Sequence, residues 1–422
     1  MRLYLSGDTD APAGFPTGSG SLPWHGGPWV WSIENVHDVR VNRRAAERVA
    51  AGHPWIFRGD LLQTGGARGG QVVRVLDGRN NPLGAAHYSS ASQIALRMLP
   101  YADIAETGQA FFRKLIRRAQ DFRERVVSGT TAYRVVYGEA DLLPALVVDR
   151  YGGYFVIQTL DQGMDAAKEA IVAALNELFE PAGIVERNDA AVRQKEELAE
   201  LKGVISGNVP TQVEVEVNGL KFGVDLRNAQ KTGLFLDQRE NWKAAAGYAR
   251  GAALDCFTYH GAFALHLAGG CESVEAVDSS AAALEQAGRN AALNGIGNIN
   301  FREADVFDLL KQRAGSHRKY QTIVLDPPAF AKSRQHLEAA ARGYKELNRR
   351  AMELLDRDGV LITCSCSHHL SEADLLSIVA EASLDAGRRV QVIERRTQAR
   401  DHPILLTVPE THYLKCLVLN VL

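Results

Sequence analysis

The sequence predicts an α/β chain. A doubly wound, mostly parallel sheet fills its C-terminal half, and two smaller β-rich units precede it. Two patterns carry this expectation. From Gly251 onward, near-continuous apolar strands alternate with stretches of helical spacing, as in a sheet buried on both faces. Before Gly251, short β runs are divided by Gly-containing turns and interrupted by two helical stretches.

The elements follow in order. Residues 1–35 are rich in Gly, Pro and Ser without periodicity, and read as disordered or as an over-called start of the gene. Residues 36–102 contain QVVRVLD (71–77), LGAAHY (83–88) and IALRML (94–99), with turns at Gly69-Gly70 and Asp77-Gly78. They predict a small barrel or half-barrel. Residues 103–130 read as a connecting helix, with Phe111, Leu115 and Phe122 on one side and many arginines on the other. Residues 131–226 follow a β-β-α-β-β rhythm around a helix at about 164–179.

The last unit, 227–422, carries strands at 253–257, 273–278, 298–305, 322–328, 359–365, 390–396 and 413–421. Helices are predicted at 261–268, 280–294, 306–313, 336–357 and 371–386, the last opened by a Ser371/Asp374 cap. No helix separates the final two strands, so the last one is expected to run antiparallel.

Composition narrows the function. The 422 residues are 46% hydrophobic and 23% charged, ordinary globular usage. No stretch approaches the ~18 uninterrupted apolar residues of a membrane span. The opening MRLYLSGDTD reads as no signal peptide. Five cysteines (Cys256, Cys271, Cys364, Cys366, Cys416) are too few for a disulfide scaffold, which predicts a reduced, cytoplasmic protein. The net charge of −2 hides an asymmetry: residues 36–130 hold 15 Lys/Arg against 8 Asp/Glu. That excess is either a solvated face or a phosphate-binding surface.

In such a sheet, ligands bind beyond the carboxyl ends of the strands. The first strand runs into Asp255-Cys-Phe-Thr-Tyr-His-Gly-Ala-Phe263, where Gly261 lets a ligand approach backbone N–H groups. The second ends at Asp278, an acid able to take both ribose hydroxyls or to cap a helix. The third ends at Asp305, within reach of an adenine amine. Together they describe a pocket for adenosine without pyrophosphate, which fits S-adenosylmethionine better than NAD or ATP. Neither GxGxxG nor GxxxxGK[ST] is present.

The fourth strand ends in Asp326-Pro327-Pro328-Ala329-Phe330, an extended turn able to hydrogen-bond and stack a planar base. The fifth carries Cys364 and Cys366, whose side chains share a face of the strand. A thiol at this rim suits methylation at cytosine carbon 5, because thiolate attack on carbon 6 makes carbon 5 nucleophilic. His368-His369 follow, but no CxxC or HExxH spacing supports a metal.

From about Val36 to Leu422 the chain resembles bacterial 23S ribosomal RNA cytosine-5 methyltransferases. The resemblance rests on GHPWIF (52–57), YGEADLLPALVVDRYG (137–152), QKTGLFLDQR (230–239), DCFTYHGAFA (255–264), DPPAF (326–330), SCS (365–367), DHP (401–403) and THYLK (411–415). It implies a class I (Rossmann-like) S-adenosylmethionine-dependent methyltransferase with an N-terminal PUA domain and a central β-β-α-β-β domain. It also implies Cys366 as nucleophile, Asp326 at cytosine N3, and Phe330 with Pro327 against the base. Asp278, Asp305, Cys256, Phe257, Tyr259 and Gly261 would hold the cofactor, with Gln238 and Arg239 closing its pocket. Large-subunit RNA is the implied partner, a membrane is not, and a homodimer is allowed. Two other readings compete: the same fold acting on guanine or adenine, and a non-catalytic RNA-binding or assembly protein.

Overall fold

A computed structural model describes residues 36–100, 107–228, 232–315, 318–330 and 336–422. The reading of residues 1–35 and the start of the 103–130 stretch therefore lie outside the described residues. Apolar alternation builds the C-terminal sheet from strands Ala252–Cys256, Ser273–Asp278, Ile299–Glu303, Tyr320–Leu325, Leu355–Ser365, Val390–Arg396 and Lys415–Val421, here β1 to β7. Their spatial order is β3-β2-β1-β4-β5-β7-β6. The first five are parallel. β7 runs antiparallel between β5 and β6, as the missing helix between the last two strands predicts.

The order reverses between β1 and β4, so the crevice for a ligand opens beyond their carboxyl ends. Side-chain alternation gives the sheet two cores. Leu254, Ile323 and Leu361 face helices Val306–Arg313, Leu337–Leu354 and Glu372–Asp385. Ala253, Val324 and Ile362 face the other way. That second face meets Trp242 on a helix (Arg239–Ala246) that periodicity did not reveal, and a hairpin of Val213–Val217 with Leu220–Val224. The hairpin forms its own two-stranded sheet and is tied to helix Ala281–Leu293 where Asn290 Oδ1 accepts the Gly223 N–H at 2.9 Å.

The central unit is a five-stranded sheet. Three strands (Ala132–Tyr137, Leu146–Tyr151, Tyr154–Thr159) precede helix Lys168–Phe179, one more than the β-β-α-β-β rhythm provides. Helix Gln109–Val126 belongs to this unit's core and is not merely a connector. Phe111, Phe112, Leu115 and Ile116 are buried with Val135, Val147, Phe155 and Leu175. Phe122, expected on the apolar side, is only half-buried.

The N-terminal six-stranded sheet docks through its GHPW turn. His53 Nε2 lies 3.2 Å from Glu410 Oε2, and the Trp55 indole donates to Glu139 at 2.9 Å. Among the described residues no helix is long and apolar enough to cross a membrane.

One carboxylate links the larger units. Asp401 is fully buried and accepts from the Arg134 backbone N–H at 2.9 Å, from Arg239 at 2.7 Å and from His402 at 3.0 Å. Arg123, on helix Gln109–Val126, donates to the Asp401 carbonyl at 2.7 Å and to the Asp141 carboxylate. Burial pushes the Asp401 carboxyl up, but His402 and Arg239 outweigh it and hold it below the ordinary carboxylate range. A depressed acid stabilises the fold above its unfolded pKa and loses that contribution as pH falls. Asp401→Asn should therefore cost about 3–5 kcal/mol at neutral pH by removing the buried carboxylate partner of Arg239 and leaving it only Glu240, 3.9 Å away. Urea unfolding at pH 7 and below 4 measures this, and the gap between variant and wild type should shrink at acid pH.

Candidate active site

The crevice begins with a contorted loop. Beyond β1, Phe257 (φ 65°), Tyr259 (φ 50°) and Gly261 (φ 81°) all adopt left-handed backbone, which is costly for the two aromatic residues. At Gly261 a Cβ would come within 2.8 Å of Leu265 and 3.0 Å of Ala287, so glycine is required both by space and by φ. Asp278, at the end of β2, braces this loop. Its carboxylate accepts from the Tyr259 N–H and the Ser280 N–H, each at 2.9 Å. It is not the helix cap, because Ser280 caps helix Ala281–Leu293. Asp305 is exposed and caps helix Val306–Arg313 by accepting from the Asp308 N–H at 3.1 Å.

Asp255 heads the motif at the end of β1, one residue before the strand's last, Cys256, but was given no role by sequence reasoning. It is fully buried; Oδ2 accepts from Thr258 at 2.5 Å and from the Ala264 N–H at 3.0 Å. Oδ1 has no hydrogen-bond partner among the described residues. Burial, reinforced by the nearby Asp326 charge, pushes its carboxyl up to about 7.

Two expected cofactor residues have their side chains buried away from the crevice. The Cys256 side chain faces the core, packed with Leu254, Val277 and Leu325, because strand alternation turns it away from the crevice. Only its carbonyl reaches the site, accepting from the Asp326 N–H at 3.4 Å. Arg239 is 2% exposed, and its guanidinium is engaged by Asp401. Its neighbour Gln238 does face the crevice, donating to Asp326 Oδ1 at 2.9 Å while its own oxygen accepts from Asn241 at 2.6 Å.

The β4 and β5 ends meet here. The Cys366 thiol is buried and points at the Pro327 carbonyl, 3.8 Å away, in a cluster with Tyr137, Tyr413 and Leu414. The Ser-Cys-Ser pattern now has a physical reason. Ser365 and Ser367 both hydrogen-bond the Tyr344 hydroxyl, at 3.0 and 3.1 Å. Buried Lys415 donates to the Ser367 carbonyl at 2.6 Å and to the Tyr413 carbonyl at 3.0 Å. The segment is thus held from both sides with the intervening thiol presented to the DPPAF turn.

Cys364 lies within β5 opposite Cys416, and burial together with that second sulfur pushes its thiol well above the ordinary range. Phe330 is half-buried, 4.9 Å from the Tyr344 ring and 5.9 Å from Phe307. Among the described residues no group of three His, Cys, Asp or Glu is placed to hold a metal.

Known proteins share these features. Residues 39–101 match a PUA-like domain, and 175–418 match an S-adenosylmethionine-dependent methyltransferase. A ribosomal RNA large subunit methyltransferase I from Tolumonas auensis is 41% identical over 87% of this chain and 95% of its own length. Its namesake from Aeromonas salmonicida is 42% identical over the same shares. The chain belongs to the ribosomal RNA large subunit methyltransferase I family.

A solved structure from Streptococcus mutans, described as a SAM-dependent methyltransferase, shares the fold with a TM-score of 0.78. It is 21% identical and covers 91% of this chain and all of the other. A second methyltransferase structure, complexed with SAH, matches with the same TM-score and identity.

The crevice of this methyltransferase suits its cofactor. A contorted loop beyond β1, the braced acid Asp278 at the end of β2, and the orphaned Asp255 oxygen are the kind of polar groups that an amino-acid nucleoside would require.

Asp255 also predicts a pH dependence. An acid whose folded pKa is raised stabilises most below its unfolded pKa and loses that contribution as pH rises through the folded one. Stability should decline between pH 3.8 and about 7 in the wild type. Thermal unfolding of Asp255→Asn across that window should be distinctly flatter.

Tyr344→Phe, which removes the hydroxyl shared by Ser365 and Ser367, should lower kcat by roughly tenfold, equivalent to ~1.4 kcal/mol. KM for the cofactor should not move, and steady-state kinetics separates the two.

Proposed function

We propose that this chain methylates carbon 5 of a cytosine in 23S ribosomal RNA, with Cys366 as nucleophile. The observation that carries the reading is the Cys366 thiol, presented to the DPPAF turn by serines bonded to Tyr344. The names of the relatives support large-subunit ribosomal RNA as substrate. Such a substrate puts the protein in the cytoplasm.

S-adenosylmethionine, when bound, supplies an electrophilic methyl group. Asp278 would brace its ribose, Asp305 would take its adenine amine, and Phe257, Tyr259 and Gly261 would enclose it. On the RNA side, the Cys366 thiolate adds to carbon 6 of the flipped-out cytosine, forming a C–S bond and shifting an electron pair towards N3 and carbon 5. Asp326, oriented by Gln238, meets the charge at N3 with a proton or hydrogen bond. Pro327 and Phe330 bound the base. After carbon 5 takes the methyl group, it loses its proton to solvent, and the Cys366 thiolate leaves as the ring regains its double bond. The PUA-like domain grips the RNA backbone through phosphate contacts that weaken with salt.

Cys364 has no step in this sequence. Cys366→Ala should abolish methylation of 23S transcripts and trapping on 5-fluorocytosine RNA, while cofactor affinity persists. Cys364→Ala should keep substantial activity and show mainly the stability loss of a small cavity. Reversed results would make Cys364 the nucleophile. Normal methylation by both variants would replace cytosine with guanine or adenine as target.

A further inference from the structure

Gln238 meets Asp326 with its nitrogen, and the reason lies outside the crevice. A carboxamide presents a donor at one end and an acceptor at the other, in nearly the same shape. Turned round, the same side chain would face the Asp326 carboxylate with a carbonyl oxygen. Gln238 and Asn241 are each 1% exposed, so neighbouring protein groups, and not solvent, set the direction.

The direction starts from a cation. Arg396, the last residue of β6, donates from Nε to Asn241 Oδ1 at 2.9 Å. A guanidinium has no acceptor, so Asn241 can offer it only oxygen. The Asn241 nitrogen is thereby turned the other way, where it donates to Gln238 Oε1 at 2.6 Å and to the Thr397 carbonyl at 3.1 Å. With its oxygen taken, Gln238 turns its nitrogen to Asp326, and Nε2 donates to Oδ1 at 2.9 Å. Arg396, Asn241, Gln238 and Asp326 thus form one line of hydrogen bonds in which each link has a single polarity.

The line is anchored along its length. Arg396 Nη1 donates to Glu394 Oε2 at 2.5 Å, and Nη2 donates to the Glu240 carbonyl at 3.3 Å. The Tyr248 hydroxyl donates to the other oxygen of Glu394 at 2.5 Å. Gln238 is the N-cap residue of helix Arg239–Ala246, and Asn241 lies three residues on, along the same side of the first turn.

Other titratable groups crowd Asp326. Asp255 faces it from β1 and the Cys364 thiol from β5, while the Cys366 thiol points at the carbonyl of the next residue, Pro327. A donated N–H favours a charged carboxylate, whereas a facing oxygen or a second carboxylate favours the protonated one. The end of the amide that Asp326 meets therefore governs how readily it holds or gives the proton needed at cytosine N3.

We propose that Asn241 and Arg396 are positioning residues for methyl transfer: they fix which end of the Gln238 amide meets Asp326, and through it the protonation of that carboxylate. The inference rests on the cytosine reading.

The test is single-turnover methylation of a 23S transcript by the full chain across a pH series, for wild type, Asn241→Asp and Arg396→Met. Melting temperature, S-adenosylmethionine affinity and trapping on 5-fluorocytosine RNA are measured alongside. Asn241→Asp keeps the shape but accepts where the amide donated, so Gln238 turns its oxygen to Asp326. Its rate at neutral pH should fall roughly tenfold or more, and the inflection of its pH–rate profile should move up by roughly one unit. Arg396→Met leaves the Asn241 nitrogen guided by the Thr397 carbonyl alone, and should move the profile the same way by less. Cofactor affinity should stay at the wild-type value in both. A folded Asn241→Asp with the wild-type rate and profile would overturn the inference. So would a loss of rate that comes with weakened cofactor binding and an unmoved profile, the mark of a merely structural role. If Asn241→Asp does not fold, Arg396→Met decides, and a wild-type profile there overturns the inference. Wild-type protein that methylates the transcript without forming the 5-fluorocytosine adduct would overturn the cytosine reading instead.

Discussion

The structure depends on one buried carboxylate. Asp401 sits where the central sheet, helix Arg239–Ala246 and the loop before β7 converge, and each supplies it a donor. A charge in such a place is tolerable only when its lone pairs are taken, and here the partners come from segments far apart in the chain. Removing it would leave Arg239 charged without its carboxylate, close to the crevice. Arg123 extends the same junction to helix Gln109–Val126. The central unit is therefore a wall of the active site held at fixed distance from the sheet, and Tyr137 and Ala140 reach the Cys366 cluster because of it.

The site itself is assembled from pairs that no single strand carries. Gln238 orients Asp326 from a helix start that precedes the sheet. Tyr344 orients both serines around Cys366 from the helix between β4 and β5. Lys415 holds the same segment from β7. Each supporting group acts on a residue that sequence reasoning had already singled out. The candidate site residues thus lie at strand ends, and they are positioned by the neighbouring helices and by the inserted antiparallel strand.

The N-terminal sheet is joined to this assembly by polar contacts at the same end. His53 faces Glu410 and Trp55 faces Glu139, one on the loop leading into β7 and the other on the turn after strand Ala132–Tyr137. The GHPW turn therefore works as a docking surface.

The alternation of apolar strands and helical spacing was enough to specify the doubly wound sheet, its seven strands and the antiparallel end, because burial on both faces leaves a period that local sequence cannot hide. Acids at strand ends were legible for the same reason: position in the fold determines what they can touch. Cys256 and Arg239 were not, since whether a side chain faces a crevice or a core is decided by strand register and by distant partners such as Asp401. Helix Arg239–Ala246 and the true place of helix Gln109–Val126 also needed tertiary structure. Their short or strongly charged sequences are stabilised by packing against units that lie far away along the chain. The charge excess near the N-terminus was visible as a number. Only the folded arrangement decided which acids these arginines meet, as Arg48 meets Asp60 and Arg97 meets Glu196, because ion pairs join residues far apart in the chain.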